Sequence, residues 1–374
     1  MKAAASQQSG MRGGIATLRL SVCVVALLAA AAPLAWAQDS SRGDSGQGDS
    51  SKTVKNPDAK DTAGDNDTSR MSESYEPKGI EVGNYLLFPQ IEAGETFNTN
   101  VYDTQSHAKP DFITTVAPEF RAQSRFENHA LNFDAQANKV SYATYTGDNH
   151  LDGNLAADGR IDVTKTAEIT AKLNGYVAHE DRGDPNAVAG ALKPTPTHGV
   201  SSLVGGKDEL GHLTLSTQLG VDRLDFDDVG TNTGTVVDNK ARDRTESTLT
   251  ERAAYEFKPS YSAVLQTSEN NRAYDRADIT GITRDSQGYR VESGLGIDIS
   301  QLAKGDLLFG YMDQTYRSSL YSDAGGYSMH ATLNWTPTTL TLVVPAFARE
   351  VQETTQPGAS GVVHTEASML VRHE

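Results

Sequence analysis

Cysteine is almost missing from this chain: there is one, Cys23, and it sits inside an apolar N-terminal segment. A processed chain would carry none, which excludes a disulfide scaffold and any thiolate metal site. Basic residues are also in short supply, 33 Lys and Arg against 49 Asp and Glu, for a net charge of -16. Nucleic-acid binding needs clustered cations to displace counterions, so no nucleic-acid partner is expected. Long apolar runs are absent beyond the N-terminus, where a spanning helix would need roughly 18 such residues in a row. A helical anchor is excluded, and no 3.6-residue periodicity of any length appears. The nine histidines are scattered, without a HExxH pair or its relatives, so no metal set, cofactor motif or catalytic residue can be assigned. A mean hydropathy of -0.48 leaves one membrane architecture open, because a barrel strand needs apolar side chains only at alternate positions.

The N-terminus reads as an export signal over residues 1–37. Lys2, Arg12 and Arg19 precede an apolar run from Leu20 to Ala32, and Ala35-Trp36-Ala37 offers a small-x-small cleavage site before Gln38. Met11 would also serve as a start. A lipid anchor on Cys23 is disfavoured, because Val22 before it is too large for that processing and most of the apolar run follows it. Residues 38–78 are rich in Ser, Asp, Gly, Lys and Asn and poor in bulky apolar residues, so they cannot offset the entropy of ordering. They are expected to form a disordered periplasmic segment, too short for a plug domain. Residues 79–374 are the expected barrel.

From Tyr85 onward, two-residue alternation recurs. In Asn154 to Val177 it puts Leu155, Ala157, Gly159, Ile161 and Val163 on one face, then, past Thr164-Lys165-Thr166, Ala167, Ile169, Ala171, Leu173, Gly175 and Val177. The opposite face is polar, so this is a hairpin whose strands are long enough to cross a bilayer when tilted. About fourteen such runs are predicted, near 85–97, 111–126, 129–144, 151–163, 167–180, 199–207, 211–226, 243–257, 261–273, 286–299, 305–319, 326–335, 339–350 and 361–372. Val200 to Lys207 is the weakest, and Glu251 falls on an apolar face.

The connections alternate between tight and long. Tight ones are predicted at Glu127-Asn128, Lys165, Asp208-Glu209, Lys258-Pro259-Ser260, Ser300 to Lys304 and Thr336-Pro337-Thr338. Long ones are predicted at Asn98 to Pro110, Asp181 to His198, Asp227 to Arg242, Tyr274 to Asp285 and Val351 to Ser360. Short turns on one rim and long loops on the other are the pattern of an outer-membrane barrel, whereas a soluble sandwich has no reason to segregate them. Tyr255, Phe257, Tyr261 and Trp335 flank tight turns, as an interfacial girdle would. The fold class expected is therefore all-β, an antiparallel transmembrane outer-membrane β-barrel.

The stretch Gly79 to Tyr102, with Phe88-Pro89 and Gly94-Glu95-Thr96 leading to Asn98 and Asn100, followed by Asp111-Phe112, resembles the opening of a family of bacterial outer-membrane β-barrel porins. That family is associated with surface or capsular polysaccharide synthesis and export. The resemblance implies an outer-membrane barrel with a pore or a polysaccharide-linked role. Barrels of this class usually finish on an aromatic residue, but here the end reads Leu370-Val371-Arg372-His373-Glu374. Closing strands are expected to be missing, or insertion to be inefficient.

Function would live on the polar face. Glu119, Arg121 and Arg125, then Asp158, Arg160 and Asp162, Glu168 and Lys172, then Arg244, Glu246, Arg252 and Glu256, then Arg290 and Glu292 are expected to line the lumen. Mixed charges this dense suit a wet interior and equally a lumen filled by salt bridges. His179-Glu180-Asp181, and the acidic loop of Asp225, Asp227, Asp228 and Asp238, read as solvated surface rather than cation sites. Ser328 and His330 share one strand face but have no assignable orienting acid, so an enzyme is not expected. The expectation is a porin-like channel for small hydrophilic solutes or an accessory to surface-polysaccharide export. The alternative is a non-conducting structural or adhesin-like barrel. Expected partners are outer-membrane lipid and lipopolysaccharide, the outer-membrane assembly machinery and polysaccharide.

Overall fold

The computed structural model describes residues 78–102, 104, 107–182, 184, 186–278, 281–299, 302–352, 354 and 360–373. The expected signal (1–37) and tail (38–78) lie outside them, apart from Lys78. The chain is antiparallel β throughout: β1 (Ile80–Val82), β2 (Tyr85–Asn98), β3 (Asp111–Ser124), β4 (His129–Tyr142), β5 (His150–Asp162) and β6 (Ala167–Glu180) come first. Then follow β7 (Thr195–Leu210), β8 (Leu213–Phe226), β9 (Val229–Gly230), β10 (Val236–Val237), β11 (Arg244–Lys258) and β12 (Tyr261–Tyr274). The sheet ends with β13 (Ser286–Ile299), β14 (Ala303–Tyr316), β15 (Ala324–Thr338), β16 (Thr341–Gln352) and β17 (Val362–His373). No helix among the described residues is long and apolar enough to cross a membrane.

Strand order follows chain order, with β8 pairing directly to β11 while β9 and β10 form a separate ribbon in the loop between them. Fourteen of the strands are long, from 12 residues in β16 to 16 in β7. At about 3.3 Å per residue each outlasts the roughly 25 Å apolar band of an outer membrane even when tilted. The turns after β3, β5, β7, β11, β13 and β15 are tight, and the connections after β2, β4, β6, β8, β12, β14 and β16 are the longer ones. The predicted segregation of loop lengths is therefore present.

The sheet is inside-out relative to a soluble protein. Leu155, Leu173 and Ile91 are 66%, 54% and 72% exposed, and Ile161, Val204, Leu219, Leu265, Leu295 and Phe309 join them on the same outer surface. So wide an apolar surface would drive aggregation in water, and in a membrane it meets lipid. Aromatic residues mark both ends of this band. Tyr255, Phe257 and Trp335 are exposed toward the tight rim, while Phe97 and Phe112 pack with tilted rings 4.9 Å apart toward the other. Ile169 is half-buried near the tight rim.

Three boundaries differ from expectation for identifiable reasons. β7 is the longest strand rather than the weakest, and its turn falls at Gly211-His212 rather than Asp208-Glu209. Its glycines hid it. Gly199 sits opposite Tyr176 of β6, and a Cβ there would lie 2.7 Å from the Tyr176 hydroxyl, so the ring supplies the packing that the strand's own sequence lacks. Gly211, at φ +66°, takes the left-handed conformation that a two-residue hairpin turn needs. At the β15–β16 connection the turn is Thr339-Leu340, and Pro337 stands inside the strand, where the register shifts between Trp335 and Thr338. A bulge leaves a residue unpaired, which suits a residue with no N–H.

β1 covers only the start of β2, from Val82↔Tyr85 to Ile80↔Leu87. The remainder of β2 and the outer side of β17 are the two edges of the sheet, and among the described residues they are not paired with each other.

Candidate functional site: the charged inner face

Alternation that sends leucines outward sends charged side chains to the other face, where they meet across neighbouring strands. Glu119 and Arg121 of β3 pair at 2.7 Å. Arg160 of β5 contacts Asp162 at 2.9 Å and Glu168 of β6 at 3.6 Å. Asp158 accepts a hydrogen bond from the Asn132 amide at 2.9 Å and stands directly opposite Lys172. Arg244 and Glu246 pair at 2.6 Å, and Arg252 reaches Asp306, three strands away, at 2.7 Å. Arg125 sits apart, in the turn after β3, paired with Glu81 at the tight rim. Glu256 is also near that rim, with His212 at 3.3 Å.

The densest part spans β13 to β16. Glu292 is completely buried, and His330 Nδ1 lies 2.5 Å from its Oε1. Arg290 Nη1 lies 3.3 Å from His330 Nε2, Nε lies 3.3 Å from Glu292 Oε2, and Glu350 stands 3.9 Å from the guanidinium. A guanidinium only donates, so His330 Nε2 accepts and Nδ1–H donates to Glu292, which fixes a neutral tautomer. Ser328 is fully buried nearby. The orienting acid that sequence could not assign is thus Glu292, yet the nitrogen a general base would use is occupied by Arg290.

Around this cluster Gln266, Ser268, Ser286 and Gln314 are all buried on the inner face, and Gln314 donates to Asn270 and Ser286. On β5 and β6, away from the long-loop rim, the inner-face charges are more open, Arg160 being 46% and Asp162 28% exposed. The interior is therefore filled with side chains along one wall and wetter along the other. Arg272, Asp306, Glu350 and His330 belong to the network and were not singled out as lumen residues. They sit on even-numbered positions, the inward parity already named on β5, β6, β11 and β13, so counting alternate positions would have found them.

The long loops correct another expectation. Glu180 is not solvated surface: it is buried and gripped by the Arg242 guanidinium, which also lies 4.0 Å over the Phe226 ring. Asp148 is buried against Arg182, and Val101, Val229 and Tyr321 are buried among the loops. Asp228 and Asp238 accept backbone N–H bonds from Asn239 and Lys240, so the acidic loop spends its carboxylates on its own turns. Asp275 accepts from Arg223 of β8 at 2.7 Å, and that hydrogen bond holds its carboxyl below the usual range.

Apolar side chains outside, ion pairs inside and loop lengths sorted by rim define an integral outer-membrane β-barrel. Over residues 73–374 the sequence matches the family described as "Putative beta-barrel porin 2", and the chain belongs to that family. No curated protein matches it. Among solved structures it is similar to a bacterial polysaccharide outer membrane secretin, with 10% identity over 79% of this chain and 100% of that one and a TM-score of 0.41. It is also similar to the siderophore receptor PiuA from Acinetobacter baumannii, with 10% identity over 78% of this chain and 58% of that one and a TM-score of 0.38. A third is the P. putida toluene transporter TodX, with 9% identity over 81% and 91% and a TM-score of 0.32.

Proposed function

We propose that the barrel conducts small hydrophilic solutes across the outer membrane, along the wall formed by Glu119, Arg121, Asp158, Arg160, Asp162, Glu168 and Lys172. The observation that carries this reading is the exposure of those side chains, 20% and 22% for Glu119 and Arg121 and 46% for Arg160, against 0% for Glu292 on the other wall: charges held partly in water mark a wet path, whereas a dry one demands full pairing. Arg244, Glu246, Arg252, Arg290 and Glu292 then form the opposite, filled wall that narrows the path. Refolded protein in a planar bilayer should give stepwise conductance, and a folded, heat-modifiable barrel without any would remove the channel reading.

A second reading has its own observation. The buried polar side chains on β12 to β15 suit a plugged barrel that supports surface-polysaccharide export or serves as a scaffold. Loss of surface polysaccharide in a deletion strain, restored by a non-conducting variant, would favour it. Export through a signal cleaved before Gln38, a disordered periplasmic segment at 38–78, delivery by the outer-membrane assembly machinery and contact with lipopolysaccharide complete the proposal. They rest on the N-terminal sequence and the outer apolar band. N-terminal sequencing of the protein from outer membranes checks the first of these.

A further inference from the structure

The β5–β6 ladder runs from Asp162↔Glu168 to Gly153↔Val177 and stops there. Beyond it β5 stays paired to β4 as far as Val140↔His150, and β6 stays paired to β7 as far as Glu180↔Thr195. Each strand is held by its other neighbour, so a wedge opens between them at the long-loop rim. Three side chains fill it: His150 and Asp152 from β5 and His179 from β6. Their ligand-type atoms all lie within 4.8 Å of one another. His179 Nδ1 is 2.9 Å from Asp152 Oδ1, and His150 Nε2 is 3.9 Å from Asp152 Oδ2. All three side chains are only 14–15% exposed.

The outer nitrogens matter as much as the inner ones. His150 Nδ1 is 2.7 Å from the Asp148 carbonyl, which can only accept, so that nitrogen carries the proton and Nε2 presents its lone pair to the wedge. His179 Nε2 is 3.2 Å from Asp181 Oδ1, which would hold a proton there and leave Nδ1 turned inward. An oxygen acceptor behind each ligating imidazole is the usual support of a protein metal site, because it fixes the tautomer and raises ligand basicity. Donors around a four-coordinate ion with bonds of about 2.0–2.2 Å stand roughly 3.3 Å apart. The 2.9 and 3.9 Å separations, one to each Asp152 oxygen, bracket that value, and side-chain rotation from within 4.8 Å brings the three donors onto one ion.

The geometry points to a divalent transition-metal site, with His150 Nε2, Asp152 carboxylate and His179 Nδ1 as ligands and solvent completing the shell. Two imidazoles and one carboxylate select first-row ions such as Zn2+ over Ca2+ or Mg2+, which prefer all-oxygen shells. The bound ion would tie β5 to β6 where the ladder no longer does. Sequence scanning missed it because His150 and Asp152 stand 27 or more residues from His179, on a neighbouring strand, rather than in a compact motif.

The test is calorimetric titration of Zn2+ into the full chain, tag-free, refolded in detergent and freed of metal by chelation. Wild type should bind one equivalent and unfold at a higher temperature when loaded. His150→Ala, Asp152→Asn and His179→Ala should each weaken binding at least about tenfold, each first shown to fold by heat-modifiable migration, and Asp181→Asn less so. His212→Ala, at the opposite rim, should bind as wild type does. Absence of saturable binding by folded wild-type protein, or binding left unchanged by all three ligand substitutions, overturns the assignment. Neither result depends on whether the barrel conducts.

Discussion

At the scale of single residues, what decides the outcome is which side of the sheet a side chain faces. Leu173 is more than half exposed at the middle of β6, so Leu173→Arg should destabilise the barrel by roughly 2–4 kcal/mol, the cost of a basic residue at the lipid midplane. Denaturant titration in lipid vesicles measures it, and Ile169→Arg, near the tight rim, should cost clearly less. Glu251 is the opposite case, an exposed carboxylate on the outer face between Thr217 and Thr267. Glu251→Leu should stabilise the same transition. Inside, His330→Ala takes an imidazole N–H from the buried Glu292 carboxylate while Arg290 still faces that charge, and should cost about 1–3 kcal/mol.

At the scale of elements, legibility in the sequence followed side-chain content. β4, β5, β6, β13 and β15 carry an apolar residue or glycine at most outward positions, facing polar residues on the other side, so their alternation stands out. β7 was obscured because Gly199, Gly205 and Gly206 leave its packing to other strands. The segment at Glu180 read as solvated surface because its arginine, Arg242, stands 62 residues away, a separation that no local pattern reveals. Lumen residues were half legible: parity identifies the face, but which charges meet is set by strand stagger. One loop contact carries a pH dependence. Asp275 is held below its ordinary range by Arg223, so this anchor is complete above the unfolded carboxylate's pKa and fades as pH falls through the lowered folded value. Asp243, raised by burial, changes in the opposite sense and favours the fold as it protonates. Hydrogen-exchange protection across residues 275–278, taken relative to the intrinsic amide rates at each pH, should fall on acidification, and Arg223→Ala should abolish that response.

At the scale of the whole molecule, the sheet has two edges to account for. Unpaired backbone groups cost several kcal/mol each in hydrocarbon, so lipid-exposed edges are not tolerated. β2 and β17, first and last of fourteen alternating long strands, run antiparallel to each other, the polarity that direct pairing needs. Ala93→Cys combined in turn with Ala367→Cys, Met369→Cys or Val371→Cys should yield one intramolecular disulfide in outer membranes. Failure of every pair would mean that something other than β17 lies beside β2.

The same count of strands has an anatomical consequence. Tyr85 opens β2 and His373 closes β17 beside Thr341, both at the tight-turn rim. With the tight turns on the periplasmic side, an epitope attached at either end of the strand region would face the periplasm and be invisible to antibody on intact bacteria, whereas one inserted at 275–278 would be displayed.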